Sequence, residues 1–299
     1  MNVKPILLAA AVAALCSCSA IKRVLVPEER QSNMPADTIS GIYHPESVLL
    51  EAMHPCSIKG PARRRMLVYL PSDYEKNATR RYPVLYLLHG ARGNESSWIF
   101  DGDILRITDS LRRGGLVEQA IIVMPNMNQY FTDQEGETSR FKRPLESFFQ
   151  TDGCVETAFM NDVVGFVDKH FRTIPDKQHR AIAGLSIGAL QSIFISARNA
   201  DAFDYIGLFS PMYKSPIMKS EYSSFYSGLK DLQEAQFASA PKVYAIMIGR
   251  WDFFWSHNEY FRRYLRKYDR PFSYYETSGG HDWKNWKNYV TIFSQECFR

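Results

Sequence analysis

Ser186 stands in the segment Gly184-Leu185-Ser186-Ile187-Gly188. A hydroxyl with a glycine two residues to either side suits a nucleophile held on a sharp turn, because glycine relieves crowding where no Cβ fits. The run 179–184 ahead of it is strand-like, and 188–198 behind it has helical spacing. The serine therefore falls where a strand turns into a helix. The first N–H groups of that helix, Ile187 foremost, point at the same place and suit a developing oxyanion. A bare Gly-x-Ser-x-Gly match arises by chance in roughly one chain of this length in ten. The flanking strand and helix are what give the motif weight.

A serine hydroxyl is a weak nucleophile until a base takes its proton, and the base in turn needs an orienting partner. When this motif sits in a strand-turn-helix, the partners follow the serine in the order acid, then histidine. Only His257 and His281 of the seven histidines lie beyond residue 186. His281, in Ser278-Gly279-Gly280-His281-Asp282-Trp283, occupies a turn between the last strand-like run and the last helix, and is the expected base. His257 leads into a helix and is expected at the surface or lining a pocket. Asp252 lies just past the strand run 243–248, 29 residues before His281, and is the expected acid. Glu276 and Asp282, which flank His281, are its rivals.

Earlier in the chain, Tyr86-Leu87-Leu88-His89-Gly90-Ala91 is an apolar strand running into His-Gly. The backbone N–H of Ala91 is the expected second oxyanion donor, and His89 is expected to be structural. Aromatic residues crowd the same segments. Trp98, Tyr213, Trp251 and Trp283 are expected to touch substrate, in company with Tyr130, Phe131, Phe148, Phe149, Phe253 and Trp255. Such rings suit a sugar or a phenolic acyl group.

These residues need a scaffold that brings distant segments to one edge. The chain has 299 residues, 45% of them hydrophobic and 23% charged, enough for one large α/β domain. Strand-like runs fall at 47–52, 66–70, 84–88, 120–124, 179–184, 205–209, 243–248 and 273–276, and helical spacing at 104–113, 158–170, 188–198, 259–268 and 283–293. That alternation predicts a mostly parallel eight-stranded sheet flanked by helices. Residues 126–156 are too long for an ordinary connection and read as an insertion or lid. No repeat or low-complexity tract is visible.

The formal net charge is only +4 and the longest basic run is Arg63-Arg64-Arg65, which argues against a nucleic-acid partner. Lys4, the apolar run from Ile6 to Leu15 and the small residues after it form an export signal too short to span a bilayer. Leu15-Cys16-Ser17-Cys18 resembles the bacterial lipobox, which implies cleavage before Cys18 and a lipid anchor on its thiol. Plain secretion with cleavage near Ala20 is the alternative. The expected layout is a lipoprotein-type signal at 1–18, a tether at 19–40 and the domain at 41–299, with the protein secreted or membrane-anchored in the periplasm or at the cell surface. Cys56, Cys154 and Cys297 would meet an oxidising compartment, where three thiols allow one disulfide at most. No zinc, calcium, phosphate-loop or dinucleotide fingerprint is present, so no metal or cofactor is expected.

The series Val68-Tyr69-Leu70-Pro71, Tyr82-Pro83-Val84-Leu85-Tyr86-Leu87-Leu88-His89-Gly90, Ala183-Gly184-Leu185-Ser186-Ile187-Gly188 and Gly280-His281-Asp282-Trp283 resembles the esterase D-like family of α/β-hydrolases. The resemblance covers about residues 45 to 295. It implies an α/β-hydrolase fold, a triad of Ser186, Asp252 and His281, oxyanion donors at Ile187 and Ala91, and hydrolysis of an acetyl or feruloyl ester on a carbohydrate or small molecule. Relatives also include acyltransferases, and a carbohydrate-binding protein that has lost the chemistry is the third alternative. Ile187 and Ala189 stand where the family often has Met and Gly, and the 126–156 insertion is longer than a minimal member has.

Overall fold

Val84–Leu88, Arg180–Leu185, Tyr205–Phe209 and Val243–Gly249 are almost unbroken apolar runs. Strands buried on both faces of a parallel sheet have this composition. In the computed structural model these four lie side by side at the centre of the sheet. The structure describes residues 39–44, 47–55, 57, 63–128, 153–213 and 224–299. All of them belong to one unit, Ala36–Arg299.

The strands are β1 Ile39–His44, β2 Ser47–Pro55, β3 Arg63–Pro71, β4 Val84–Leu88, β5 Ile121–Pro125, β6 Arg180–Leu185, β7 Tyr205–Phe209, β8 Val243–Gly249 and β9 Ser273–Thr277. They form one sheet in the order β1-β2-β3-β5-β4-β6-β7-β8-β9. The first three strands run antiparallel to their neighbours, and from β5 to β9 every pairing is parallel. This is the expected α/β-hydrolase sheet with its eight strands in place. A ninth, β1, adds at the outer edge and takes up the last two residues, Ile39 and Ser40, of the stretch expected to be a tether.

Side chains alternate between the faces of the sheet. Val84, Tyr86 and Leu88 of β4 and Ile182 of β6 share one core with Leu190, Ile193 and Phe194 of helix Ile187–Arg198 and with Phe261 and Leu265 of helix Trp255–Lys267. Phe209 packs instead against Tyr289 and Phe293 of helix Trp283–Glu296. Each fully buried Leu, Ile or Phe in these layers contributes about 1.5–3 kcal/mol. Helix Ile187–Arg198 buries every residue but Arg198, which fixes its first turn rigidly behind β6.

Helix Leu229–Ala238 has no counterpart in the sequence pattern, because its buried residues are Leu229, Gln233 and Gln236. Gln233 finds polar partners on that face: its Nε2 donates to the Tyr244 hydroxyl at 3.1 Å, and Arg270 donates to its Oε1 at 2.7 Å. The helix expected at 158–170 begins earlier, at Cys154–Ala158, and passes through a π-helical segment, Phe159–Val164, before Gly165–His170. Of the expected insertion, residues 129–152 lie outside the described residues, as do the signal and nearly all of the tether. Cys297 is a buried free thiol, and Cys56 lies outside the described residues.

What matters for chemistry is the carboxyl edge. Leu88 pairs with Gly184, Leu185 with Phe209, and Gly249 with Thr277, so β4, β6, β7, β8 and β9 end together. Loops leaving that edge are where an open α/β sheet binds ligands.

Candidate active site

Ser186 follows β6 directly and caps helix Ile187–Arg198, with φ 55° and ψ −117°. A non-glycine residue there is strained by about 1–3 kcal/mol, and such strain persists only where the surroundings over-determine it. Those surroundings are the two glycines. A Cβ on Gly184 would sit 2.5 Å from the backbone carbon and oxygen of Gly188, and one on Gly188 would press on the His89 carbonyl oxygen and lie 2.9 Å from that of Leu88. Backbone atoms cannot swing aside, so the turn and the β4 loop interlock only without side chains at 184 and 188. The Ser186 N–H is held by the Phe209 carbonyl at 2.9 Å.

Ile187 is the first residue of its helix, and its N–H has no acceptor within that helix. It lies where charge developing beside Ser186 would meet the positive helix end. The loop after β4 is braced from behind. His89 Nε2 accepts from the Met127 N–H at 3.0 Å, so its Nδ1 carries the proton and donates to the Gly90 carbonyl at 2.8 Å. Gly93 N–H donates to the same carbonyl at 3.0 Å. With that carbonyl turned toward His89 and Gly93, the trans peptide directs the Ala91 N–H the opposite way. His89 is thus a buried, neutral strut for the loop.

The same loop is anchored by residues that the sequence reading passed over. Glu95, fully buried, is paired with Arg65 and accepts from Asn126 Nδ2 at 2.7 Å, while Asn128 Nδ2 donates to the Gly93 carbonyl at 2.8 Å. Buried polar groups of this kind hold one geometry because any other leaves them unpaired. The sequence signal was faint: two asparagines just beyond β5.

Asp252 and His281 are in contact. The imidazole Nδ1–H donates to the Asp252 carboxylate, 2.9 Å to Oδ2 and 3.1 Å to Oδ1. The Asp252 side chain has no solvent exposure, and its Oδ1 also accepts the Phe254 N–H at 2.8 Å. With Nδ1 engaged, Nε2 is the nitrogen left to act as base. Trp286 links the pair to the neighbouring strand end: its ring lies 4.9 Å from the imidazole, perpendicular to it, and its Nε1 donates to Ser210 Oγ at 3.1 Å. Ser210 follows Phe209, the residue that holds the Ser186 N–H. The rival carboxylates are committed elsewhere. Asp282 caps helix Trp283–Glu296 through the Asn285 N–H at 3.0 Å.

Glu276 accepts from Tyr274, Arg250 and Trp255. Those hydrogen bonds, Tyr274 first, hold its carboxyl down at about 2. The folded value is depressed, so the stabilisation is fully present above the ordinary 4.5 and disappears only as pH falls through about 2.

The expected substrate-contacting aromatics divide. Trp98 is fully buried, with its Nε1 on the Leu88 carbonyl at 3.0 Å and its ring edge-on to Trp283 at 5.2 Å, so it supports the site without facing a ligand. Tyr213 is corrected in the same way: it is buried against Phe261 at 4.6 Å, and its carbonyl accepts from His257 Nδ1 at 2.8 Å. His257 therefore pins the segment after β7. Trp283 is half-buried between Trp98 and Trp286. Trp251 and Phe253 are exposed. Tyr130, Phe131, Phe148 and Phe149 lie outside the described residues. Among the described residues no His, Cys, Asp and Glu cluster has metal-holding geometry.

Comparison with known proteins is consistent with this geometry. The family described as "Putative esterase" matches residues 59–291. The chain is 36% identical over 146 residues to an endo-1,4-beta-xylanase/feruloyl esterase of Xylanibacter ruminicola, covering 48% of this chain and 19% of that protein. It spans 12% to 25% of the length of the first curated relatives it matches. Among solved structures, a ferulic acid esterase at 25% identity superposes with a TM-score of 0.67, covering 84% of this chain and 99% of that one. Another, from Anaeromyces mucronatus in complex with ferulic acid, has 21% identity, a TM-score of 0.66 and coverage of 91% and 96%, a likeness of fold.

Proposed function

The chain belongs to the "Putative esterase" family, and on that premise we propose that it is a serine carboxylic-ester hydrolase acting on acetyl or feruloyl esters of carbohydrates or small molecules. The observation that carries this is the buried Asp252 carboxylate on His281 Nδ1, at the same sheet edge as the strained Ser186 turn. Ser186 Oγ attacks the ester carbonyl carbon as its proton passes to His281 Nε2, and Asp252 steadies the resulting imidazolium without taking the proton. The N–H groups of Ile187 and Ala91 receive the oxyanion. Collapse breaks the ester C–O bond, and the departing alcohol leaves with the proton from His281. Water, deprotonated by the same imidazole, then cleaves the acyl-enzyme, releasing the acid and restoring Ser186. The feruloyl and xylan-linked activities in the names of its relatives support the substrate class.

The purified protein is expected to hydrolyse p-nitrophenyl acetate and methyl ferulate and to be labelled once per chain by a fluorophosphonate. A folded protein that takes no label and releases no acid would overturn the reading. Release of a new ester in preference to acid when an alcohol acceptor is added would reassign it to acyl transfer.

The proposal extends to location: a lipoprotein in the periplasm or at the cell surface, anchored through Cys18. It rests on the signal-like run and lipobox pattern in residues 1–18. No helix among the described residues is long and apolar enough to cross a membrane. Cells expressing the full chain are expected to incorporate an alkyne-tagged fatty acid into it and to lose the label in Cys18→Ala. Equal labelling of the variant, or release of the unlabelled protein to the medium, refutes the anchor.

A further inference from the structure

Hydrolysis through a serine fixes which half of the substrate lies beside the base. The imidazole that takes the Ser186 proton returns it to the departing alcohol oxygen, so the alcohol half passes beside His281 while the acyl half stays on Ser186. Whatever packs on the solvent side of His281 is therefore what the alcohol half meets. Of the rings packed on the imidazole, Phe253 at 4.3 Å, Trp286 at 4.9 Å and Phe254 at 5.1 Å, Phe253 is the exposed one, at 67%.

Phe253 is not an isolated exposed ring. The large exposed hydrophobic residues among those described are Leu116, Trp251, Phe253, Trp255 and Tyr260, and four of these five fall within residues 251–260. Exposed apolar side chains are ordinarily scattered singly, and a concentration of them marks a binding surface. Trp251 is 77% exposed and Trp255 36%. The turn that carries them is tight: Asp252 N–H bonds the Gly249 carbonyl at 3.0 Å, and Trp255 N–H bonds the Asp252 carbonyl at 2.9 Å. Their exposure is tied to the same loop that delivers the catalytic carboxylate.

One of these rings is also fixed in place. The Trp255 Nε1–H donates to Glu276 Oε2 at 3.1 Å, and the same carboxylate is held by Arg250 Nε at 2.9 Å and the Tyr274 hydroxyl at 2.7 Å. An exposed indole would otherwise turn freely and lose that freedom on binding; here the loss is taken during folding. The result is an apolar face with a charged, hydrogen-bonding edge. Aromatic faces carry the negative part of the ring quadrupole, which attracts the slightly positive C–H face of a sugar ring. Arg250, exposed beside the indole, supplies donors for sugar hydroxyls.

We propose that Trp251, Phe253 and Trp255 form the alcohol-side subsite, and that its occupant is the carbohydrate chain bearing the ester. The proposal rests on the hydrolase reading above and adds to it where the saccharide lies and what holds it.

The test keeps the acyl group constant and changes the alcohol: methyl ferulate against the feruloyl ester of an arabinoxylan oligosaccharide, both assayed with the full-length protein. In the double variant Trp251→Ala/Trp255→Ala, the ratio of kcat/KM for the oligosaccharide ester to that for methyl ferulate is expected to fall about tenfold or more, chiefly through KM. Glu276→Gln, which weakens the tether but keeps the indole, is expected to give a smaller fall of the same ratio, about threefold. An unchanged ratio in the double variant overturns the subsite. So does a loss that follows the acyl group, seen when methyl ferulate is compared with methyl acetate. Failure of the hydrolase reading looks different: wild type that turns over neither ester, or Ser186→Ala that turns over both, sinks both proposals together.

Discussion

Replacing Ser186 by Ala is expected to lower kcat for p-nitrophenyl acetate by about 10⁵-fold or more, since removing the nucleophile of such a triad leaves only the oxyanion donors and binding. Circular dichroism and the urea midpoint should change little, because the substitution keeps the Cβ and the backbone strain at φ 55° and ψ −117°. Ser186→Gly separates chemistry from strain. It is expected to be equally inactive, yet more stable than Ser186→Ala by about 1 kcal/mol, because relief of about 1–3 kcal/mol of strain outweighs the 0.5–1 kcal/mol that glycine adds to the entropy of the unfolded chain. Urea unfolding of the two inactive variants decides the point. A glycine variant less stable than the alanine variant would show that the turn is not strained, and residual turnover within tenfold of wild type in either would remove Ser186 from the chemistry.

The parts of this site that were legible in the sequence are those set by short-range rules. Gly-x-Ser-x-Gly between a strand and a helix is a local pattern, and the structure gives its reason in the interlock of Gly184, Gly188 and the His89 carbonyl. Asp252 and His281 could be paired because each follows a strand by a few residues and β8 and β9 are adjacent. The apolar runs that became β4 to β8 announced a parallel sheet for the same reason, burial on both faces. Illegible features depend on three-dimensional partners. Helix Leu229–Ala238 turns Gln233 inward, where Tyr244 and Arg270 meet it, and no periodicity of apolar residues records that. Aromatic residues near the motifs suggested ligand contact for all alike. Composition does not say which ring a helix will cover, so Trp98 and Tyr213 read the same as Trp251, although the first two are buried and the third is exposed. The bracing of the Ala91 loop by Glu95, Arg65 and Asn126 was likewise invisible, since its members come from three segments.

Asp252→Asn is expected to lower kcat by about 10⁴-fold with KM little changed, and the hydrogen bonds around the carboxylate say why. Oδ1 accepts the Phe254 N–H at 2.8 Å, so an asparagine keeps its carbonyl oxygen there and turns its NH2 toward His281. That group occupies the place of Oδ2, 2.9 Å from Nδ1, and can only donate. Nδ1 must then accept, which drives the proton to Nε2, the nitrogen that has to be bare to receive the Ser186 proton. The variant keeps size and burial, so its unfolding midpoint is expected to stay near wild type while turnover falls. Glu276→Gln is the comparison that gives the number meaning. Glu276 lies closer to His281 in sequence than Asp252 does, yet its oxygens are taken by Tyr274, Arg250 and Trp255, and turnover of p-nitrophenyl acetate is expected to stay within about threefold. Equal losses in the two variants, measured with the same ester at saturating concentration, would transfer the orienting role away from Asp252, and the contact between Asp252 and His281 would then be structural.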